Sequence, residues 1–303
     1  MRVSLLKTYF YSVLFSVGLI TVTVAQAGEK FEKSIQVPAN GHVFINNDRG
    51  DVDVKGWNKA EILVIGELAN ANQELIFKNK GEKTLIEVDM TKGTHRGYAH
   101  SGGASDLEIF IPKNVQLHFK GIDTDFTIED LTAEIKGNTI NGELLIKNVH
   151  SYIKVSSISG DINVIDSSGS VYVESVRGDV NVKGEFEDVN LQSVAGNIST
   201  DISNINKLHT NNVAGDTDIE GNMLDDASVK LSSINGDINY KVAGRLNAEF
   251  ELTSQVGGEI NNNLTEDLPN KSHMQTRKLR FVIGDGSGNV KIKTIVGTIS
   301  IDN

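Results

Sequence analysis

The sequence predicts an all-β protein: a β-solenoid of short stacked coils, with a small strand-rich insertion near the N-terminus. Three observations lead there. A twelve-residue pattern of alternating apolar positions around a glycine returns every 18 to 21 residues. The composition combines 29 Gly with 3 Pro and only 6% aromatic residues, which suits many short strands joined by tight turns better than a helical bundle. The chain has no cysteine, so packing alone must hold the stack together.

Charge and cysteine content narrow the functional classes. A formal net charge of -11 lacks the basic footprint that displaces counterions from phosphates, so a nucleic-acid partner is not expected. A basic membrane-surface binder is disfavoured for the same reason. Without cysteine there are no thiolate metal sites, no cysteine nucleophile and no lipid attachment to a thiol.

Taken in order, residues 1–27 read as a cleaved export signal. Arg2 and Lys7 make a positive start, Tyr9 to Val24 is uncharged and largely apolar, and Ala25-Gln26-Ala27 supplies a small-x-small cleavage site. The alternative is a retained anchor, since the apolar run approaches spanning length. Cleavage would remove two cations and no acid. No second run of that length follows, so the expected product is soluble, without a membrane span, and periplasmic or extracellular. Residues 28–116 are expected to form a strand-rich cap containing the first partial repeat. Residues 117–303 are expected to form the solenoid, interrupted at 262–288.

The repeat is the strongest signal in the chain. Segments beginning at Ile135, Ile153, Val171 and Val189 are 18 residues apart and read IKGNTINGELLI, IKVSSISGDINV, VYVESVRGDVNV and VNLQSVAGNIST. The pattern returns at Leu208, Val229, Phe250 and Val290, reaches back to Leu117, and opens as a partial copy at Val43, ten occurrences in all. The shared unit runs apolar, any, apolar, any, Ser/Thr/Asn, Ile/Val, any, Gly, Asp/Asn, apolar, any, apolar. The stretches on either side of the glycine each have a period of two, and so read as two short strands with their apolar members on one side.

Gly-Asp or Gly-Asn between the strands is turn chemistry. Glycine allows positive φ, and the Asx side chain bonds nearby backbone amides. One such unit cannot bury its apolar face alone, so the units must stack. Stacking places Ile162, Val180, Ile198, Thr217 and Ile238 in one inward column, where each buried Val or Ile contributes roughly 1.5–3 kcal/mol. The growth in spacing from 18 to 19 and then 21 should enlarge the outer turns and leave the strands intact. A hexapeptide left-handed helix fails, because Val171–Asp188 lacks an aliphatic at every sixth position. Calcium-binding nonapeptide repeats fail because no G-G-x-G-x-D run occurs.

Outside the regular units, Ala60–Gly66, Glu74–Asn79, Lys83–Asp89 and Asp106–Pro112 remain strand-like. Thr91–Ser105 reads as a flexible Gly-rich insertion. Asn262–Gly288 is a polar interruption that gathers cations in an otherwise acidic chain.

In series, GDVDVKGW at Gly50–Trp57, AEILVIG at Ala60–Gly66, DLEIFIPKNVQLHF at Asp106–Phe119 and the repeat units resemble a bacterial family. It comprises exported β-strand-repeat proteins labelled "putative adhesin", a domain family of unknown function. The resemblance covers Phe31–Asn303. It implies a right-handed β-solenoid-like fold and an envelope or extracellular location, and it supplies no catalytic residues to carry over.

Several constellations could carry chemistry. Asp51, Asp161, Asp179, Asp216 and Asp237, with Asn197, would form either an oxygen ladder for Ca²⁺ or a series of turn caps; free substitution by Asn197 and Thr298 favours caps. Asp285-Gly-Ser-Gly-Asn289 starts like a calcium loop, but Val290 and Val296 occupy the positions that need Gly and Glu, so a Gly-rich turn is expected. His95 and His100, flanking Tyr98, lack a third metal ligand nearby. The close pairs Asp123/Asp125 and Asp216/Asp218 raise a glycosidase or lyase reading, yet Tyr152, Tyr172, Tyr240 and Trp57 share no repeat position that would build a sugar platform.

The remaining candidate is a row: Asn163, Asn181, Ser199, Asp218 and Asn239 occupy one repeat position and face outward by alternation. Stacked, they would form a hydrogen-bonding ladder able to meet a glycan or protein of the envelope; otherwise they keep a β surface soluble. No metal, cofactor or catalytic residue is expected. The expected function is that of a non-enzymatic, exported, adhesin-like binding or scaffold protein. A carbohydrate-active enzyme on the same scaffold and a calcium-stabilised surface adhesin are the alternatives.

Overall fold

A computed structural model describes residues 30–69, 73–90, 103–271 and 275–303. Residues 1–27, read above as an export signal, and His95, Tyr98 and His100 of the Gly-rich insertion lie outside the described residues. The first strands are β1 (Lys30–Gln36), β2 (His42–Trp57), β3 (Glu61–Glu67), β4 (Gln73–Lys80), β5 (Lys83–Met90) and β6 (Ser105–Pro112). The repeats contribute β7 (Gln116–Glu129), β8 (Ile135–Asn141), β9 (Leu144–Lys147), β10 (His150–Ser159), β11 (Ile162–Arg177), β12 (Val180–Ala195), β13 (Ile198–Ala214), β14 (Thr217–Asn235) and β15 (Ile238–Val242). The chain continues through β16 (Ala248–Ser254), β17 (Ile260–Asn262), β18 (Asn270–Lys271), β19 (Arg277–Ile283), β20 (Gly288–Val296) and β21 (Ile299–Asp302). Hydrogen bonds join all 21 into one sheet, so the N-terminal strands and the repeats are continuous.

The glycine turn is where strands break. From β11 to β14 each long strand holds the second half of one coil and the first half of the next, and pairs in parallel with the strand one coil on. Ile162, Val180, Ile198, Thr217 and Ile238 fall in register as one column, and all are buried. The first half of the coil builds a second column through Ile135, Ile153, Val171, Val189, Leu208 and Val229. These columns belong to one apolar core along the stack. Register shifts fall at the corner away from the glycine, at Val164/Ser167, Glu185/Asp188 and Ile202/Lys207. The longer coils absorb their extra residues there, and the paired strands keep their register.

Two details of the turn differ from the sequence expectation. First, the Asx side chains do not cap their own turn. Asp161 Oδ1 accepts the amide of Asp179 at 2.8 Å, Asp179 Oδ1 that of Asn197 at 2.7 Å, and Asn197 Oδ1 that of Asp216 at 2.9 Å. The series runs on through Asp237 and Thr298 at 2.9 and 2.7 Å. The shared residue type thus bonds one coil to the next, and both Asp and Asn supply the accepting Oδ1. Second, not every apolar position faces inward. The Ser/Thr/Asn position is buried, as at Ser157, Ser175, Ser193, Asn212 and Ser233. At two of these the side chain bonds the turn: Asn212 donates to the Gly196 and Gly215 carbonyls, both at 3.0 Å, and Ser175 to that of Gly178 at 3.2 Å, whereas the Ser157, Ser193 and Ser233 hydroxyls find no partner among the described residues. Alternation then turns the following aliphatic outward. Ile122, Ile140, Ile158, Val176, Val194, Val213 and Ile234 are 39–49% exposed.

Glycine is required at the turn for two reasons at once. Gly160, Gly178, Gly196, Gly215 and Gly236 have φ between +125° and +156°. A Cβ on any of them would stand 2.0–2.3 Å from the preceding turn glycine's carbonyl oxygen. Such approach excludes any side chain from the stacked turns.

At both ends, stacking order departs from chain order. β2 lies between β7 on one side and β5 and β6 on the other. The final coil, β20–β21, inserts between β14–β15 and β16–β17, so the copy at Val290 is last in the chain but not in the stack. Antiparallel partners then finish the ends: β4 on β5, β1 on β3, and β19 on β16. The interruption at 262–288 therefore contains a cap strand, with Phe281 stacked on Phe250 at 4.7 Å.

Candidate binding faces

The polar row read from the sequence is assembled by the parallel register. Asn163, Asn181, Ser199, Asp218 and Asn239 are consecutive partners. Ser300 and then Asn261 extend the row across the inserted coil. Asn181 Nδ2 donates to Asn163 Oδ1 at 3.3 Å, and Asn239 Nδ2 to Asp218 Oδ1 at 2.7 Å. Ser199, Asp218 and Asn239 are exposed, whereas Asn163 and Asn181 are half-buried. Charged groups flank the exposed end, where Lys241 pairs with Glu220 at 2.7 Å. That hydrogen bond raises the Lys241 ammonium above its ordinary range and keeps it charged. Chemically the row offers amide, hydroxyl and carboxylate groups at the coil spacing, about 4.8 Å.

The carboxylates considered for chemistry are placed otherwise. Asp123 pairs with Arg49 at 2.9 Å and accepts from Asn141 at 2.8 Å, and Asp125 accepts the Glu143 amide at 2.7 Å. Asp216 belongs to the inter-coil ladder, while its neighbour Asp218 belongs to the polar row. Asp51 stands beside Asp106, Asp125 and Asp53; desolvation first, then these charges, lift its carboxyl above the ordinary range. In the Asp285–Asn289 turn, Asn247 Oδ1 accepts the amides of Asp285 and Gly286 at 2.8 and 3.1 Å. Among the described residues no group of three or more His, Asp or Glu is placed to hold a metal ion. Of the aromatic residues weighed as sugar platforms, Tyr240 is wholly buried, and Trp57 stacks on Phe110 at 5.3 Å with Lys59 over its ring at 4.3 Å.

The other outward face carries a feature that the repeat pattern did not announce. Phe44, His118, Lys136, Lys154 and Tyr172 form one row along the first half of the coil. Phe44 and His118 stack at 4.9 Å, and the Lys154 ammonium lies 4.7 Å from the Tyr172 ring centre. Desolvation, helped by Lys136 and His42, lowers the His118 imidazole below its ordinary value, which leaves it neutral at neutral pH. Between this row and the exposed aliphatics lies a trough, lined by two grooves that share Ser156, Ile158 and Glu174.

The fold and these faces define a class: a repeat-built β-solenoid that displays the same side-chain position coil after coil. Residues 40–302 match the Toastrack DUF4097 family, and the chain belongs to it. The family resemblance read from the serial motifs is thereby borne out. No curated protein matches the chain. Among solved structures, a "putative adhesin" from Parabacteroides distasonis is similar at 11% identity and a TM-score of 0.42, over 90% of this chain and 97% of that one. Another from Bacteroides fragilis shows 15% identity and a TM-score of 0.38, over 90% and 97%. A "putative cell adhesion protein" from Clostridium sporogenes shows 13% and 0.27, over 91% and 99%.

Proposed function

We propose that this is an exported, non-enzymatic envelope protein that binds or scaffolds through the long faces of its solenoid. The supporting observation is the register of Asn163, Asn181, Ser199, Asp218 and Asn239 in one row. Such a row repeats one weak contact many times on a rigid surface, so little freedom is lost on binding. Catalysis would instead draw unlike groups to one point. The partner is an envelope glycan or protein, bound with low affinity that grows with the number of coils engaged.

The test has two arms. Expressed with its own N-terminus, the protein should lose about 27 residues and appear in a soluble envelope or medium fraction. Intact mass with Met1–Ala27 retained, in a carbonate-resistant pellet, would mean an anchored protein instead. Replacing Asn163, Asn181 and Asn239 together with Lys should leave the circular dichroism spectrum unchanged and abolish retention on envelope material. Undiminished retention would reduce the row to a device for solubility.

A further inference from the structure

The trough on the opposite outward face is a second surface, independent of the polar row. Its floor is a single register: Asn46, Lys120, Asn138, Ser156, Glu174, Gln192 and Asn211 follow one another coil by coil. At a rung spacing of about 4.8 Å the floor extends roughly 29 Å along the rod. One wall is apolar, made by the outward aliphatics from Ile140 to Val213. These side chains are 39–47% exposed along this stretch and line the two grooves. The other wall and the floor hold Lys120, Lys136 and Lys154 near the stacked Phe44 and His118 rings. Lys136 is paired with Glu134 at 2.6 Å, while Lys120 and Lys154 make no ion pair among the described residues. In a chain of net charge -11, a local group of cations beside an apolar wall is selective chemistry.

From this we infer that the trough binds an acidic polysaccharide whose carboxylates are spaced by uncharged sugars. Lys120 and Lys154 take the carboxylates, the aliphatic wall takes the C–H faces of the rings, and Asn138, Ser156, Gln192 and Asn211 take hydroxyls. Each assignment follows from chemical match. Glu174, exposed in the middle of the floor, opposes a uniformly charged polymer such as a nucleic acid. An added peptide strand needs free backbone amides and carbonyls, and the strands beneath this floor already exchange theirs with the coils on either side.

The probe is a series of hyaluronan oligosaccharides, in which carboxylates alternate with uncharged sugars, titrated calorimetrically into the purified protein. Saturable binding is expected, weakened at least tenfold when the carboxyl groups are reduced to alcohols. The charge reversal Lys120→Glu with Lys154→Glu should weaken it to a similar degree, and Ser156→Trp should block the floor. Unchanged melting temperatures would show that these surface variants fold. The triple Lys variant of the polar row should bind the probe like the parent, which separates the two surfaces. Three results would overturn the inference: no binding of hyaluronan, equal binding of polyglutamate, or charge-reversed protein that binds as well as the parent. Self-association that Val194→Lys abolishes would also overturn it, assigning the trough to a second copy. Retention of the parent on envelope material without hyaluronan binding would sink this inference and leave the proposed function standing.

Discussion

The middle of the solenoid and its two ends solve the same problem differently. Between Ile153 and Asn235 each coil stacks on the one before it in sequence, through three recurring kinds of contact: apolar columns, the Asx-to-amide ladder and the stacked glycines. Neither end follows that rule. β2 and the β20–β21 coil are each inserted between coils that are not their sequence neighbours, and antiparallel strands cover what lies beyond. A repeat needs only its nearest neighbours, whereas an end has to hide unpaired strand edges that would otherwise recruit another chain. Closing the stack with long-range pairing makes each end depend on a distant part of the chain.

The sharpest way to break this comparison is to introduce one change in both regions. Val180 and Ile299 are both fully buried, and each sits between two coils. An unpaired carboxylate in either place costs roughly 3–5 kcal/mol. Val180→Asp should lower the stability of the whole stack, read as lost amide protection on both sides. Ile299→Asp should release 248–283 from protection while 135–235 stays protected. Global unfolding by both variants would mean that the ends are not separable units.

Gly196→Ala probes the turn stack. With φ at +149° and a Cβ 2.2 Å from the Gly178 oxygen, the variant should lose about 3 kcal/mol in urea unfolding. A neutral result would show that the turns open more easily than their geometry implies. Asp179→Ala removes the acceptor of the Asn197 amide and should cost about 1 kcal/mol. Ser199→Asn, on the exposed row, should stay within about 0.5 kcal/mol. Asn181 is the poorer silent control, because it is half-buried and bonded to Asn163.

Acid should separate the two ends by sign, with the smallest effect. At the C-terminal end, a hydrogen bond from Lys291 holds Glu251 below the usual carboxylate range, and one from Arg277 does the same for Glu259. A depressed carboxylate stabilises the fold above its unfolded pKa, and that contribution is lost as pH falls through the folded value. Asp51 at the other end is raised, so its ionised form disfavours the fold, and the penalty is relieved as pH falls. Hydrogen exchange at pH 7 and pH 4, corrected for intrinsic rates, should show protection falling around Glu251 and Glu259 and holding around Asp51. A parallel fall at both ends would contradict the assignment.

Much of this was legible in the repeat. Alternation located the inward column from Ile162 to Ile238 and the outward row from Asn163 to Asn239, because parallel stacking at a constant spacing leaves little choice of register. Alternation also contained the outward aliphatic stripe: counting from Val171 and Val173 through Ser175 places Val176 outside. Hydrophobicity argues the other way, because it places every apolar member of a stretch on one side. The trough escaped for a different reason. Phe44, His118, Lys136, Lys154 and Tyr172 share a position but not a residue type, so no motif marks them until the coils are stacked.

The sequence by itself determined the coil: its length, its glycine turn, which residues point inward, and the need to stack. These are local consequences of a two-residue period and of one position that tolerates no Cβ. Only the tertiary structure decided the order of coils at the ends, the inter-coil role of the Asx ladder and the trough. Each of these depends on which coils become neighbours. The shared pattern carries no instruction about that, because it offers each coil the same kinds of contact wherever the coil lies in the chain. Edge closure breaks the tie: the final coil inserts where β14–β15 and β16–β17 each offer an unpaired edge, and its pairing satisfies both.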